Sequence, residues 1–262
     1  MAHTNRSDIP AFHLHDNIDF VGSTRVSVHI LRTEQGLVMI DTGYPDMLDQ
    51  IIASMNELGL DPKDICTIIH SHGHIDHFGC TERFKEMSGA KTYISRIDND
   101  IVNGTLDLSW AKELSYDRLP PFDCDVMLED GDELTFGSTT LRFVSAPGHT
   151  AGTMVIFVTT PDGTVAAMHG GVGLNSMTRD FLNTYGLSLD CREVFRQGLH
   201  RLAKEHVDLV LGNHPQQNDT EGKRARLEAG AGNVLDATEW ERFLKTTEQG
   251  LDHMLAKEQA SS

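Results

Sequence analysis

Short apolar runs alternate with polar, glycine-bearing punctuation along most of this chain. Two such runs, Phe20 to Leu31 and Gly36 to Ile40, flank the polar Thr33-Glu34-Gln35-Gly36, a pattern that predicts a hairpin entering a sheet. The second run ends in Asp41-Thr42-Gly43, and Pro45 then opens a helix. Its Met47, Leu48, Ile51, Ile52, Met55 and Leu58 fall on one face at helical spacing. The mostly apolar Ile65 to Ile69 reads as a buried strand. A polar segment follows it, then a short helix near 81–87, then another strand at 91–95. The first half is therefore βαβ-like. Over 97–125, Leu106, Leu108, Trp110 and Leu114 are apolar, but Pro120-Pro121 interrupts any period, so a helix-containing loop is expected.

Strands resume at 125–128, 133–136, 140–145, 153–159 and 164–168, punctuated by Gly131-Asp132, Gly137-Ser138 and Pro161-Asp162-Gly163. They lead into the glycine-rich stretch His169 to Gly173. Asp190 with Glu193, and Thr238 with Glu241, have the spacing of capping boxes. The first predicts a helix to about residue 205; the second starts a helix with Trp240, Phe243, Leu251, Met254 and Leu255 on its apolar face. Between them, strand 207–211 leads to Gly212-Asn213-His214-Pro215. Strands then helices, twice over, predict an α/β fold built as a four-layer αββα sandwich. We read 1–262 as a single domain, with a core over about 12–216 and a C-terminal helical region over about 217–258.

The length of 262 residues is enough to bury a full core. A formal net charge of -17 argues against nucleic acid as a partner, which usually needs a basic stripe. Residues 1–10 lack an apolar signal region and no membrane span is seen, so a cytoplasmic protein is expected. Cys66, Cys80, Cys124 and Cys191 form no C-x-x-C pair and read as reduced thiols. The expected partner is a small-molecule substrate, with no membrane; oligomeric state is left open.

The chemistry lies in His72-Gly73-His74-Ile75-Asp76-His77, which packs three imidazoles and one carboxylate into six residues after a strand. Zinc accepts this ligand set, and three such groups plus a water leave a position open for chemistry. Two more loops carry histidines after predicted strands: Pro147-Gly148-His149-Thr150-Ala151-Gly152 and Asn213-His214-Pro215. Taken singly, His149 and His214 have ordinary packing readings. Beside the first motif they complete an inventory for two zinc ions: His72, His74 and His149 for one; Asp76, His77 and His214 for the other. His3, His13, His15, His200, His206 and His253 are assigned to surface or packing roles. His29 is structural or lies behind the ligands, and His70 is placed behind them. His169 either touches the metals or is a hydrogen-bonded structural histidine. Asp41 is placed to orient metal-bound imidazoles.

The order His72-x-His74-x-Asp76-His77 resembles the H-x-H-x-D-H motif of the metallo-β-lactamase superfamily. The chain is similar to the third subclass of the true metallo-β-lactamases, whose second zinc site uses histidine rather than cysteine. The resemblance covers about residues 12–216. It includes Val38-Met39-Ile40-Asp41-Thr42-Gly43, Asn56-Glu57-Leu58-Gly59, Asp130-Gly131-Asp132, Pro147-Gly148-His149-Thr150 and His214-Pro215. It implies the αββα fold of that superfamily, the six ligands above, and a dinuclear zinc hydrolase. In the implied mechanism a hydroxide bridging two zinc ions attacks a carbonyl carbon. One zinc polarises the carbonyl oxygen and the other stabilises the leaving group. Asp76 is then catalytic, since it binds zinc and orients the nucleophile.

Departures from the family pattern bear on the substrate. Most superfamily hydrolases place a bridging carboxylate where this chain has His169-Gly170-Gly171-Val172-Gly173. The third subclass lacks that bridge as well, but its β-lactamases carry small hydroxyl residues in this stretch. Asn175 and Ser176 substitute for them if the loop folds back. Gly79 matches the first of two glycines that often follow the motif, and Cys80 stands at the second. We therefore expect a zinc-dependent hydrolase of a cyclic or activated amide or ester, with β-lactam turnover open and a lactonase as the main alternative. A thioesterase of the glyoxalase II type is disfavoured, because no basic patch suits glutathione or coenzyme A. A nuclease conflicts with the acidic charge. A different class stays open: a non-hydrolytic iron protein, or a protein with a degenerate metal site. The pocket is expected between the loop after Asp41, residues 97–122 and residues 171–189, with Trp110, Tyr116, Phe122, Phe181 and Tyr185 as apolar walls.

Overall fold

The structure, a computed structural model, describes residues 9–230, 232 and 234–261. The readings of His3 and of the polar segment before residue 9 lie outside the described residues. One sheet has seven strands in chain order: β1 (Phe12–His15), β2 (Ile18–Phe20), β3 (His29–Thr33), β4 (Gly36–Ile40), β5 (Ile65–Ile69), β6 (Lys91–Ser95) and β7 (Val126–Leu128). It is antiparallel from β1 to β4 and parallel from β4 to β7. The second sheet contains β8 (Glu133–Phe136), β9 (Thr139–Ser145), β10 (Met154–Thr159), β11 (Val165–His169) and β12 (Leu209–Gly212). Its neighbours are antiparallel except β11 and β12, which run parallel. Helices α1 (Leu48–Glu57), α2 (Ile75–Phe78), α3 (Thr81–Ser88) and α4 (Arg96–Val102) belong to the first half. Helices α5 (Arg179–Thr184), α6 (Cys191–Leu202), α7 (Thr220–Glu228) and α8 (Glu239–Ala260) belong to the second.

Period-two side-chain alternation explains the layering. Along β10, Met154, Ile156 and Val158 join the core between the sheets, while Val155 and Phe157 join the core beneath the helices. Along β4, Val38 and Ile40 face the other sheet; Leu37 and Met39 face α1 and α3, which contribute Ile51, Met55 and Phe84. Phe195, Leu199, Trp240, Phe243 and Leu251 cover the outer face of the second sheet from α6 and α8. Each such side chain, fully buried, stabilises the fold by ~1.5–3 kcal/mol. The αββα sandwich is thus what the strand-then-helix pattern predicted. Among the described residues no helix is long and apolar enough to cross a membrane, and the four cysteines are free.

Three local expectations fail. Residues 20–31 are not one strand: β2 stops at Phe20 and a loop over 21–28 intervenes. It is closed by Val21 N donating to Val28 O and Ser23 N to Val26 O, both at 2.9 Å. A Cβ on Gly22 would lie 2.5 Å from Val26 O, so this closure requires glycine. Val21, Val26 and Val28 are buried against α1 all the same, so hydrophobicity did not distinguish loop from strand. Neither capping box forms, because neither Asp190 nor Thr238 caps its helix with its side chain. Thr238 Oγ1 donates to Asp236 Oδ1 at 2.6 Å instead, and Asp190 accepts from Ser188 Oγ at 2.9 Å. Helix α7 has weak amphipathic patterning, so the sequence placed it only within the C-terminal helical region and did not delimit it; it holds the buried Lys223.

Candidate metal centre

The parallel strands β4 and β5 end side by side, and the chain turns over 72–77 at that edge into α2. One donor atom from each of His72, His74 and His149 lies within 4.8 Å of the others, and the same holds for His72, Asp76 and His77. In the first group the ring centroids are 4.5–4.7 Å apart. Across from it, Asp76 Oδ2 lies 3.4 Å from His77 Nε2 and 3.5 Å from His214 Nε2. The His72 and His77 rings stand 4.2 Å apart, so the two groups share an edge. All six residues read from the sequence as ligands come together here.

Each ring is held from behind. His149 Nδ1 lies 2.7 Å from Gly173 O and 3.1 Å from Ser176 Oγ, which turns Nε2 towards the cluster. Ser176 Oγ donates to His149 O at 2.7 Å, so the loop does fold back as the sequence allowed. His214 Nδ1 lies 2.7 Å from Arg25 O, in the 21–28 loop. Asp41 Oδ2 lies 2.7 Å from His77 Nδ1, and the same carboxylate accepts Ser71 N and Oγ, each at 2.8 Å. His72 Nδ1 lies 3.1 Å from Ser71 Oγ, while its buried Nε2 has no hydrogen-bond partner. A buried unpaired donor or acceptor is costly. A cation among the three imidazoles removes that cost, so the donor set fits a divalent metal that takes nitrogen and oxygen ligands, zinc foremost.

Electrostatics agree. Burial, then the neighbouring imidazoles, keep His72 and His74 well below the ordinary imidazole range, and burial lowers His149 to about 4. These rings are neutral, the form that ligates metals. His77 is the exception. Burial would lower it, but Asp76 and Asp41 raise it well above its ordinary value. Burial would raise Asp76, but His77 and His214 hold it far below the usual carboxylate range.

The other candidates are placed as follows. His70 Nε2 lies 3.2 Å from Thr81 Oγ1, in a buried group with Thr42, whose hydroxyl donates to His77 O. His169 Nδ1 accepts Gly171 N at 3.3 Å and its ring packs on Phe195 at 6.0 Å, so it supports the glycine stretch under His149. His29 is buried with its ring 5.8 Å from Phe20, and burial lowers it to about 4. His13, His15, His200 and His206 pair with Asp19, Asp162, Glu248 and Asp208, and His253 is exposed.

Trp110 stacks between His74 at 5.6 Å and Phe181 at 5.3 Å. Tyr185 packs on Phe181 at 4.6 Å and donates to Glu113, so segments 97–122 and 171–189 meet over the centre. Tyr116 stands on the other side, stacked on Tyr44 at 5.6 Å and bonded to Asp46 and Arg25. Phe122 is not brought to this wall; it packs on Phe78 at 6.1 Å, against a small core of Ile75, Ile94 and Val102. A cavity of about 300 Å³ opens beside His74 and His149, with Phe181 in its wall.

The sequence reading missed Asp98. From α4 its Oδ2 accepts Gly73 N at 2.8 Å and Thr150 Oγ1 at 2.6 Å, and its Oδ1 accepts Gly152 N at 2.9 Å. It thereby ties the 72–77 turn to the His149 loop. Burial raises its carboxyl to about 6, against the pull of those three bonds. Its partners are remote in sequence, and no spacing marks it. The glycine stretch also has a reason. A Cβ on Gly171 would lie 2.4 Å from His149 Cδ2, and one on Gly170 2.3 Å from Met154 O. The His149 ring lies on backbone that has no room for side chains.

Known proteins resemble this chain. The sequence profile described as "Metallo-beta-lactamase superfamily" matches residues 21–166. BJP-1 of Bradyrhizobium japonicum, a subclass B3 metallo-beta-lactamase, superposes with a TM-score of 0.87 at 25% identity, covering 98% of this chain and 97% of that one. A metallo-beta-lactamase of Cronobacter sakazakii altered in its HARLDQ motif gives 0.86 at 26% identity, over 97% and 100%. A hydroxyacylglutathione hydrolase of Pseudomonas putida is 32% identical over 95 residues, 36% of this chain and 28% of that protein. The chain spans less than two thirds of the curated relatives it matches.

Proposed function

We propose, for a chain that belongs to the metallo-beta-lactamase superfamily, that it is a dinuclear zinc hydrolase opening cyclic or activated ester and amide carbonyls. The family and its structural neighbours make it a metallo-hydrolase with His and Asp metal-binding groups. One observation carries the finer reading: two three-residue donor groups, His72-His74-His149 and His72-Asp76-His77, adjoin at His72, with His214 Nε2 3.5 Å from Asp76 Oδ2 beside the second. When bound there, zinc supplies Lewis acidity and brings the pKa of water near neutrality. The chain's own residues do the positioning. Asp41 orients His77, Gly173 and Ser176 orient His149, and Arg25 O orients His214. Asp76 stays ionised and is the acceptor available to an attacking water. Trp110 and Phe181 exclude solvent from the His74 side.

Two observations favour a lactone or other ester over a β-lactam. Gly170, Gly171 and Gly173 present no hydroxyl, and the Ser176 hydroxyl that folds back to the cavity is already donated to His149 O. Among the described residues no lysine or arginine lines the cavity beside His149, so a substrate carboxylate finds no cation there. The same lack disfavours a glutathione or coenzyme A thioester. Arg25, near His214, is already paired with Asp46.

Elemental analysis and a hydrolysis panel of β-lactams, lactones and thioesters test this reading. Two zinc per chain and lactone turnover well above that of a penicillin or carbapenem are expected. One iron per chain, or no metal after metal-replete expression, would sink the hydrolase. Efficient β-lactam turnover would overturn the ester preference. His72→Ala and His149→Ala should each lose metal and activity; retained zinc stoichiometry in both refutes the ligand assignment.

A further inference from the structure

The cavity beside His74 and His149 has an apolar floor formed by the buried Ile101 and Leu182, with the half-buried Leu108 in its wall. Its mouth is apolar too. Among the described residues, six large hydrophobic side chains are exposed, and four of them, Ile97, Leu106, Leu187 and Val194, line this cavity. Such a concentration at one opening marks a binding surface. The polar groups inside are already engaged. Asp98 is bonded to Gly73, Thr150 and Gly152, the Thr150 hydroxyl donates to Asp98, and the Ser176 hydroxyl donates to His149 O. Among the described residues neither a cation nor an unengaged carboxylate lines the cavity. The inner end of the cavity is formed by His74 and His149 themselves, so whatever fills it continues directly from the candidate metal centre.

We propose that this cavity takes an uncharged, medium-length aliphatic arm of the substrate, attached to the carbonyl that is opened at the metal pair. The proposal rests on the hydrolase reading and names its substrate class: neutral acyl or alkyl-bearing esters and lactones. A protein partner would need only the rim. Continuity of floor and rim with His74 and His149 selects a ligand chain that runs from the reacting carbonyl to solvent.

The test is a 4-nitrophenyl ester series from acetate to decanoate on zinc-loaded protein, with calorimetry of 1-octanol against 1-butanol as a readout independent of turnover. Each added methylene should raise kcat/KM about threefold to fourfold until the chain emerges past the rim. A chain ending in a carboxylate should lose at least about tenfold. Val194→Glu, exposed on α6, should flatten the series and weaken octanol binding while zinc stoichiometry is kept. A flat series on active enzyme, with octanol binding no tighter than butanol, overturns the aliphatic subsite and leaves the hydrolase intact. Octanol binding that Val194→Glu weakens, with neither these esters nor any lactone, thioester or β-lactam turned over, supports the subsite and overturns the hydrolase.

Discussion

Replacing Gly171 by alanine should move His149 and little else. The added Cβ would lie 2.4 Å from His149 Cδ2, 2.8 Å from Cγ and 3.0 Å from Cβ. Carbon atoms settle at about 3.5 Å or more, so the ring must retreat by about 1 Å. Gly171 has no positive φ, so alanine meets no backbone penalty and the contact is isolated as the cause. The ring cannot retreat freely, because Nδ1 is held by Gly173 O and Ser176 Oγ. The glycine stretch cannot yield either, since Gly170 sits against Met154 O and Ser71 O. A site of this kind tolerates about 0.5 Å of ligand displacement. Disturbing the support of one imidazole typically costs about 10–100-fold in metal affinity. Zinc titration against a chelating dye should show one equivalent weakened by about that factor. The equivalent assigned to Asp76, His77 and His214 should change less. Gly171→Ser, which adds a hydroxyl as well as a Cβ, meets the same contact and should weaken zinc as well. Two equivalents bound at undiminished affinity by folded Gly171→Ala would refute the placement of His149 as a ligand resting on this backbone.

Asp98→Asn offers one acceptor oxygen where three donors converge. It should lower stability by about 2–4 kcal/mol in urea denaturation, and an unchanged midpoint would contradict the clasp. Zinc binding near neutral pH should release about one proton, from His77, because its carboxylate neighbours keep it protonated while burial keeps His72, His74 and His149 neutral. Affinity should therefore rise with pH until His77's raised pKa is passed. Calorimetry in buffers of different protonation enthalpy checks this, and proton-neutral binding would count against it. Lys223 Nζ donates to Val210 O, Asn218 O and Glu239 Oε1 at 2.6–3.0 Å. Lys223→Met leaves the Glu239 charge without that partner and should cost about 3–5 kcal/mol in thermal unfolding; a wild-type Tm would show the pair to be dispensable.

The features readable from the chain alone were those whose physics is local. Six consecutive residues hold His72, His74, Asp76 and His77, and strand geometry sets them at a sheet edge without reference to any other segment. Strand runs followed by helices, twice over, likewise announced two sheets with helices outside, whereas the continuous apolar runs of β4 and β10 did not say which residue faces which layer. Where an apolar pattern had two structural solutions, only folding chose. Val21, Val26 and Val28 are buried equally well in a loop as in a strand, and that loop is what brings Arg25 O to His214. Asp98 acquires its role from donors on two distant loops, so nothing near it in sequence marks it. Phe122 looked like a pocket wall because it is aromatic and lies in a variable segment, yet it packs under α2. The glycine stretch shows the division most sharply. As sequence it registers as missing hydroxyls; in three dimensions it is the space that the His149 ring occupies. A missing side chain has no pattern of its own, and its meaning depends on what packs where the side chain would have been.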